Sequence, residues 1–398
     1  MNNSRPANEI GVLHGFRALM VLAVAHYHIW QQGWLGQYAY IGTQVISWDS
    51  VTRSSYLFVD GMLLLSAFLL YLPHARGRLD GSTPPTLKTF YLRRAARILP
   101  SYWLAVIAAF LLIALPQHSY ANAWAAVKDL LAHFSFTFMF TSETYLQTPL
   151  NGALWTIAVE VGFYLLFPLL AQGADRRPGL TFSLMGAVGI GWRCAVWQCT
   201  DQLSMLVNQL PAFMDVFALG MLGAKMYARG EAFLRRAHPM ARRGLRLLCV
   251  AGFLLSLIGV FEILKYQSNA GGAGYPALFR SQLRTRLPFA LAILLSMLCA
   301  AEMPRPAQKL LDNRLTRYLA TISMNLYIWH QPLAVQMLKA WFDVETLHAS
   351  RPLQCAYTVL CYAVSFCVAA LVTFGVEKPW AKRWLRSCDV PIQETHGL

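Results

Sequence analysis

Acidic residues are scarce in this sequence. Asp and Glu number 19 against 34 Lys and Arg, and charged residues make up 13% of 398 while hydrophobic ones make up 56%. A soluble domain carries roughly 25% charged and 45–50% apolar residues, so there is too little polar surface here to coat a water-soluble globule, and too much apolar content for disorder. Cysteine supplies no zinc or redox motif: Cys194, Cys199, Cys249, Cys299, Cys355, Cys361, Cys367 and Cys388 form no CxxC pair and no Cys/His cluster at ligand spacing. Most lie in apolar stretches and read as helix-packing residues. There is no GxxxxGK[ST] loop, internal repeat or low-complexity tract. The N-terminus lacks a small-residue cleavage site, and its first apolar stretch carries His14, Arg17, His26 and His28, so a retained helix is expected rather than a removable signal peptide. Neither a metal nor a nucleic-acid partner is expected, the net charge of +15 being read as topology.

What the sequence does have is a series of apolar stretches of about 18–22 residues, the length that crosses a bilayer as helix. They fall at 11–30, 55–73, 99–116, 153–171, 179–198, 205–227, 245–264, 286–303, 318–338 and 355–376. The expected fold is an all-α polytopic membrane protein of about ten transmembrane helices with both termini cytoplasmic. Residues 1–10 then form a cytoplasmic N-terminus, 11–376 the membrane domain and 377–398 a cytoplasmic tail. In that orientation most Lys and Arg lie in inner segments, and Arg193 and Arg286 are among the few assigned to the outside. The stretch from Trp124 to Phe140 carries Lys128, Asp129 and His133; counting it as a span would invert every later loop, so it is expected to be an outer-face interfacial or re-entrant helix.

A charged side chain within a span is costly and usually faces an internal cavity. Arg17 and His28 lie eleven residues apart, which puts them about 20° apart around a helix and about 16 Å apart along it. They face one groove. His26 points to the other side and is read as a packed, hydrogen-bonded histidine. By depth, Asp60, Glu160 and His330 share the outer half of the membrane with His28, and Arg17, Arg94 and Arg97 gather toward the inner half. The arginine end suits a phosphate-bearing anion, because guanidinium forks bind phosphate oxygens bidentately. The histidine and carboxylate end suits proton removal from a hydroxyl, with a carboxylate fixing the imidazole tautomer. A transporter or flippase for a glycan or lipid-linked precursor would also use intramembrane charges, but no paired Gly/Pro-broken helices recur in matching halves.

These residues sit in six segments, LHGFRALMVLAVAHYHIW (13–30), VDGMLLLSAFLL (59–70), RRAARILPSYW (93–103), ALWTIAVEVGFYLLFPLL (153–170), TISMNLYIWHQPL (321–333) and VEKPW (376–380). In content and order they resemble the acyltransferase type 3 family of integral membrane O-acyltransferases. The resemblance carries the family's arginine-to-histidine spacing onto Arg17 and His28, its Arg-x-x-Arg onto Arg94 and Arg97, its tryptophan and glutamate onto Trp155 and Glu160, and its Asp, Ser and Phe onto Asp60, Ser66 and Phe68. Ala67, Val161, Gly162 and His14 depart from the common pattern, and Ala67 and Gly162 would reshape the acceptor groove. The resemblance implies transfer of an acyl group, most often acetyl, from acyl-coenzyme A to a hydroxyl of a cell-envelope carbohydrate or a lipid-linked acceptor, in the lipid bilayer of a bacterial inner membrane. It implies His28 as general base with Glu160 and Asp60 as catalytic carboxylates, Arg17, Arg94 and Arg97 on the donor's phosphates, and Ser66, Trp155, Tyr327 and His330 as further site candidates. Ser66 and His28 remain alternative carriers of a covalent acyl relay. With no appended hydrolase-like domain in the sequence, the acceptor is acylated by the membrane domain itself or passed to a separate periplasmic partner protein.

Overall fold

The computed structural model describes residues 9–41, 43–199, 202–388 and 390. Among these, ten long helices dominate, labelled here α1 (Val12–Gly33), α2 (Phe58–Asp80), α3 (Leu87–Ala109), α4 (Trp155–Arg176), α5 (Pro178–Trp197), α6 (Met214–Arg236), α7 (Pro239–Gly271), α8 (Tyr275–Glu302), α9 (Arg314–Trp341) and α10 (Arg351–Val372). Eight helical stretches are long and apolar enough to cross a membrane; α6 and α9 match them in length but are more polar. Part of their polar content faces inward: α6 buries Asp215, and α9 buries Asn325 and His330. Large apolar side chains such as Leu112, Leu165, Leu169, Leu255 and Val359 are more than half exposed, as on a surface facing hydrocarbon.

Several boundaries differ from the expectation. The third span begins a full three turns earlier than 99, so Arg93, Arg94 and Arg97 lie inside α3 rather than ahead of it. The helix of α10 does not stop at Glu377 and Pro379: a wide π turn over Thr373–Glu377 leads into a further helix, Lys378–Ser387, whose Leu385 packs on Ala96 of α3. The segment after Pro116 forms a helix of only 12 residues, Ala123–Phe134, started by the Asn122 side chain accepting from the Ala125 amide at 2.9 Å. At about 1.5 Å per residue it is too short to span. A two-stranded antiparallel hairpin, β1 (Tyr38–Ile41) with β2 (Gln44–Ser47), follows α1 and was not anticipated.

α1 is central, packed against α9 and α2, and α2 in turn lies along α6. Small residues permit that last approach. A side chain at Gly220 of α6 would collide with the Leu64 carbonyl and with Ala67 of α2. Ala67 is therefore wholly buried in a helix crossing, not in the acceptor groove where its departure from the family pattern had placed it. Gly162 likewise faces Leu210.

Proline shapes the part of α9 that matters most. Pro332 has no amide to give the carbonyl four residues earlier, that of Ile328, and the Asn151 side chain donates to it instead at 2.8 Å. This bond ties the turn carrying Tyr327 and His330 to the start of α4.

Candidate active site

A cleft enclosing about 860 Å³, part of it open to solvent, lies between α1, α2, α3, α4 and α9. Arg17, Ser66, Arg94, Arg97, Glu160 and Tyr164, with Thr156, Ser323 and Tyr327, supply its polar lining. Helical spacing accounts for the pairings within it: Arg94 and Arg97 are three apart on α3, and Glu160 and Tyr164 four apart on α4, so each pair shares a face.

Glu160 is held by two hydroxyls. Ser66 and Tyr164 each donate to its Oε1 at 2.5 Å. Arg94 lies over the Tyr164 ring at 5.8 Å, a cation–π contact. Among the described residues Arg17, Arg94 and Arg97 form no direct ion pair, and the buried Nε of Arg94 has no hydrogen-bond partner. Three guanidinium groups thus line one cleft with a single carboxylate, Glu160, that is already occupied by hydroxyls, while Glu377, held by Asn325, faces Arg97 from outside the lining. The cleft carries excess positive charge and an orphaned donor, which fits an anion with several oxygens. Glu160 sits with the arginines, not at the histidine end where depth alone had assigned it; one helical turn separates it from Tyr164, and the Ser66 bond draws it toward α2.

The histidines form a separate group. His28 Nδ1 lies 2.8 Å from His330 Nε2, and His330 Nδ1 lies 3.0 Å from the Leu326 carbonyl oxygen. His330 is wholly buried and His28 half-buried. The partner of the His28 ring is therefore an imidazole and not the carboxylate expected to orient it. His26 turns away to α10, where its Nδ1 is 3.1 Å from the Tyr362 hydroxyl. Tyr327 connects the two groups: it lines the cleft, is 3% exposed, and its ring centroid is 5.6 Å from that of His330. Neither His28 nor His330 lines the cleft itself.

Asp60 is placed elsewhere. Its carboxylate accepts from Arg286 Nε at 3.3 Å, with Asp60 1% and Arg286 0% exposed. Arg286 also donates to the Val207 carbonyl at 2.9 Å and to that of Ala212 at 3.4 Å, and its guanidinium lies 3.9 Å from the centre of the Phe213 ring. The Ala212 carbonyl is shared with Arg193, which forms a two-pronged pair with Asp215 at 2.8 and 2.5 Å. The four charges balance inside the bundle, so Asp60 is a member of a buried ion-pair network and does not face His28. Trp155 packs on Phe213 from the other side, ring centroids 5.8 Å apart, and is not in the cleft either.

The same network corrects the loop assignments of two arginines. Arg193 lies within α5 and Arg286 within α8, both buried: the stretches 179–198 and 286–303 already include these positions, and assigning the two charges to the outside overlooked that each is neutralised inside the bundle. Sequence reasoning also passed over Tyr164, although its position one turn from Glu160 was a readable signal. Asn325 and Glu377 form another interior pair, the Asn325 amide donating to the Glu377 carboxylate at 2.6 Å and to Thr373 at 2.8 Å. Among the described residues no group of three or more His, Cys, Asp or Glu side chains is arranged to hold a metal ion.

A family model described as an acyltransferase domain matches residues 10–373. The peptidoglycan O-acetyltransferase OatA of Listeria monocytogenes is 23% identical over 395 residues, covering 93% of this chain and 55% of that protein. A protein of Acidianus two-tailed virus named "putative acetyltransferase" is 24% identical over 324 residues, 81% of this chain and 82% of its own. An O-acetyltransferase named as putative in Staphylococcus aureus is 22% identical over 345 residues, 80% of this chain and 49% of its own. The chain thus spans about half the length of the bacterial relatives it matches. No solved structure matches it.

Proposed function

We propose, from the premise that this chain belongs to the acyltransferase family, that it is an integral membrane O-acetyltransferase moving acetyl from acetyl-coenzyme A to a hydroxyl of a cell-envelope carbohydrate. The observation that carries the reading is the cleft in which Arg17, Arg94 and Arg97 converge with no ion-pair partner among the described residues. Ten spans with both termini in the cytoplasm, in a bacterial inner membrane, would open the arginine end to the donor and the histidine end to the acceptor. The name of the Listeria relative points to peptidoglycan as one acceptor class.

In this mechanism Arg94 and Arg97 grip the coenzyme's phosphates and Arg17 holds the donor further up. Glu160, fixed by Ser66 and Tyr164, offsets part of the threefold positive charge and keeps the cleft from binding phosphate irreversibly. The acyl arm rises past Tyr327 toward the histidine pair. His28 removes the acceptor's hydroxyl proton as the oxygen forms its bond to the acyl carbon; the carbon–sulfur bond breaks, and the proton passes from His28 to the departing thiolate. General-base assistance of this kind contributes about 10²–10⁴-fold.

Purified protein supplied with labelled acetyl-coenzyme A and soluble peptidoglycan fragments is expected to release free coenzyme thiol and to acetylate the glycan. His28→Ala should lower turnover by at least about 100-fold while its thermal unfolding midpoint stays near that of the wild type. Retained turnover in that variant, or movement of unmodified glycan across a vesicle membrane without thiol release, would reject the assignment.

A further inference from the structure

We infer that His330 is a positioning residue that fixes His28 as the Nδ1–H tautomer and so leaves its only free lone pair on Nε2. The argument starts at a backbone carbonyl. The Leu326 oxygen can only accept, so His330 Nδ1, 3.0 Å away, must carry the hydrogen. A neutral His330 then has a lone pair on Nε2, and that atom accepts. Its neighbour at 2.8 Å, His28 Nδ1, must therefore donate. The proton on Nδ1 of His28 leaves Nε2 unprotonated.

The direction of the chain cannot be reversed without cost. If His330 donated from Nε2, its Nδ1 lone pair would face the Leu326 oxygen, two acceptors at hydrogen-bond distance in a site from which water is excluded. Burial completes the argument. His330 is 0% exposed and its ring is locked between Leu326, Tyr327 and His28, whereas His28 keeps an accessible edge. The Asn151 bond to Ile328 holds the same turn of α9 and so fixes where the His330 ring stands. A histidine side chain free in water favours the opposite tautomer, with hydrogen on Nε2. In a base meant to receive a proton at Nε2, that hydrogen would block the reaction. The assignment of His28 as base rests on the reading above; the tautomer does not.

Two substitutions separate positioning from packing. In His330→Gln the amide oxygen reaches the place of Nε2 and still accepts from His28. In His330→Asn the amide nitrogen takes the place of Nδ1, keeping the Leu326 bond but removing the acceptor at His330, so that the Val24 carbonyl one turn back is the acceptor left to the His28 ring. Nitrogen spectra of ¹⁵N-histidine-labelled protein, with His28 assigned by its loss in His28→Ala, are expected to show Nδ1–H at His28 in the wild type and in His330→Gln. In His330→Asn the Nε2–H form should gain population. With acetyl-coenzyme A and peptidoglycan fragments, His330→Asn should lower kcat by about 100-fold and His330→Gln by less than about tenfold, each with KM for the donor within about twofold of the wild type. An Nε2–H signal at His28 in the wild type overturns the inference whatever the variants do. Equal spectra and equal turnover in the Gln and Asn variants also overturn it, since a purely structural role would not distinguish them. Because the spectra are read without turnover, an active His28→Ala variant would remove the base assignment and leave the tautomer intact.

Discussion

Asp60→Asn separates a structural carboxylate from a catalytic one. The Asp60 carboxylate and the Arg286 guanidinium are 3.3 Å apart and essentially inaccessible to water, so removing one charge strands the other in a low-dielectric interior. Breaking a buried pair by deleting one partner costs on the order of 3–5 kcal/mol, whereas replacing both partners by apolar residues of similar size is often neutral. Arg286 keeps two carbonyl partners and its contact with Phe213, which favours the lower end of that range. The single variant should therefore unfold several degrees below the wild type in a detergent thermal scan, and its turnover per folded molecule should stay close to the wild-type value. The paired replacement Asp60→Leu with Arg286→Met should recover most of the lost midpoint. An Asp60→Asn variant with an unchanged midpoint and abolished turnover would refute the argument and restore Asp60 to the chemistry. A paired replacement no more stable than the single one would show that charge balance is not what Asp60 supplies.

Two further outcomes follow from other parts of the molecule. Arg94→Ala or Arg97→Ala should raise KM for acetyl-coenzyme A by about 10–100-fold, the equivalent of one charge-assisted hydrogen bond at about 1.5–3 kcal/mol, with a smaller change in kcat at saturating donor; an unchanged KM would remove the arginine from donor binding. Ahead of α1, burial acts to raise the Glu9 pKa, but hydrogen bonds from His14 at 2.6 Å and Arg317 at 3.0 Å outweigh it and hold the carboxyl below its ordinary value. A depressed carboxyl stabilises the fold above its unfolded-state pKa, and that contribution disappears as pH falls through the folded value. Glu9→Gln should then lower the unfolding midpoint at pH 7 by the equivalent of at most about 1 kcal/mol, since the cluster is partly exposed. The difference should begin to shrink below about pH 4 and vanish once pH falls beneath the depressed folded-state value; a difference that persists there would assign the effect to packing.

Much of this arrangement can be read before any coordinates exist, and the reason is helical geometry. Eleven residues return a helix to nearly the same face, so Arg17 and His28 are expected to share one groove; Arg17 lines the cleft, whereas His28 meets His330 outside it and His26 turns to Tyr362. Arg94 with Arg97 is legible for the same reason. The family resemblance rests on these residues, and the match over residues 10–373 agrees with it. Partnership is not legible, because it depends on which helices touch. Depth along a span put Asp60 beside His28, but only the packing of α2 against α8 shows that Arg286 claims it. Arg193 and Arg286 fall inside the apolar stretches 179–198 and 286–303, yet a charge read alone is assigned to the outside, because sequence does not show the second charge that neutralises it. α6 and α9 present the converse case: their polar residues make them weak candidates by composition, although these are the residues that build the interior. The bond between His28 and His330 joins residues 302 positions apart, and no local pattern announces it.

Tyr327 bears on a problem that any enzyme working across an energised membrane must solve. A continuous wet bore from one face to the other would let ions run down their gradient with every open moment. The ring of Tyr327, buried between the arginine cleft and His330, stands where the proposed reaction would need an elongated reactant to pass, and so where such a bore would be narrowed. Under the proposed mechanism, donor and acceptor would then meet at one point while the bilayer keeps its voltage.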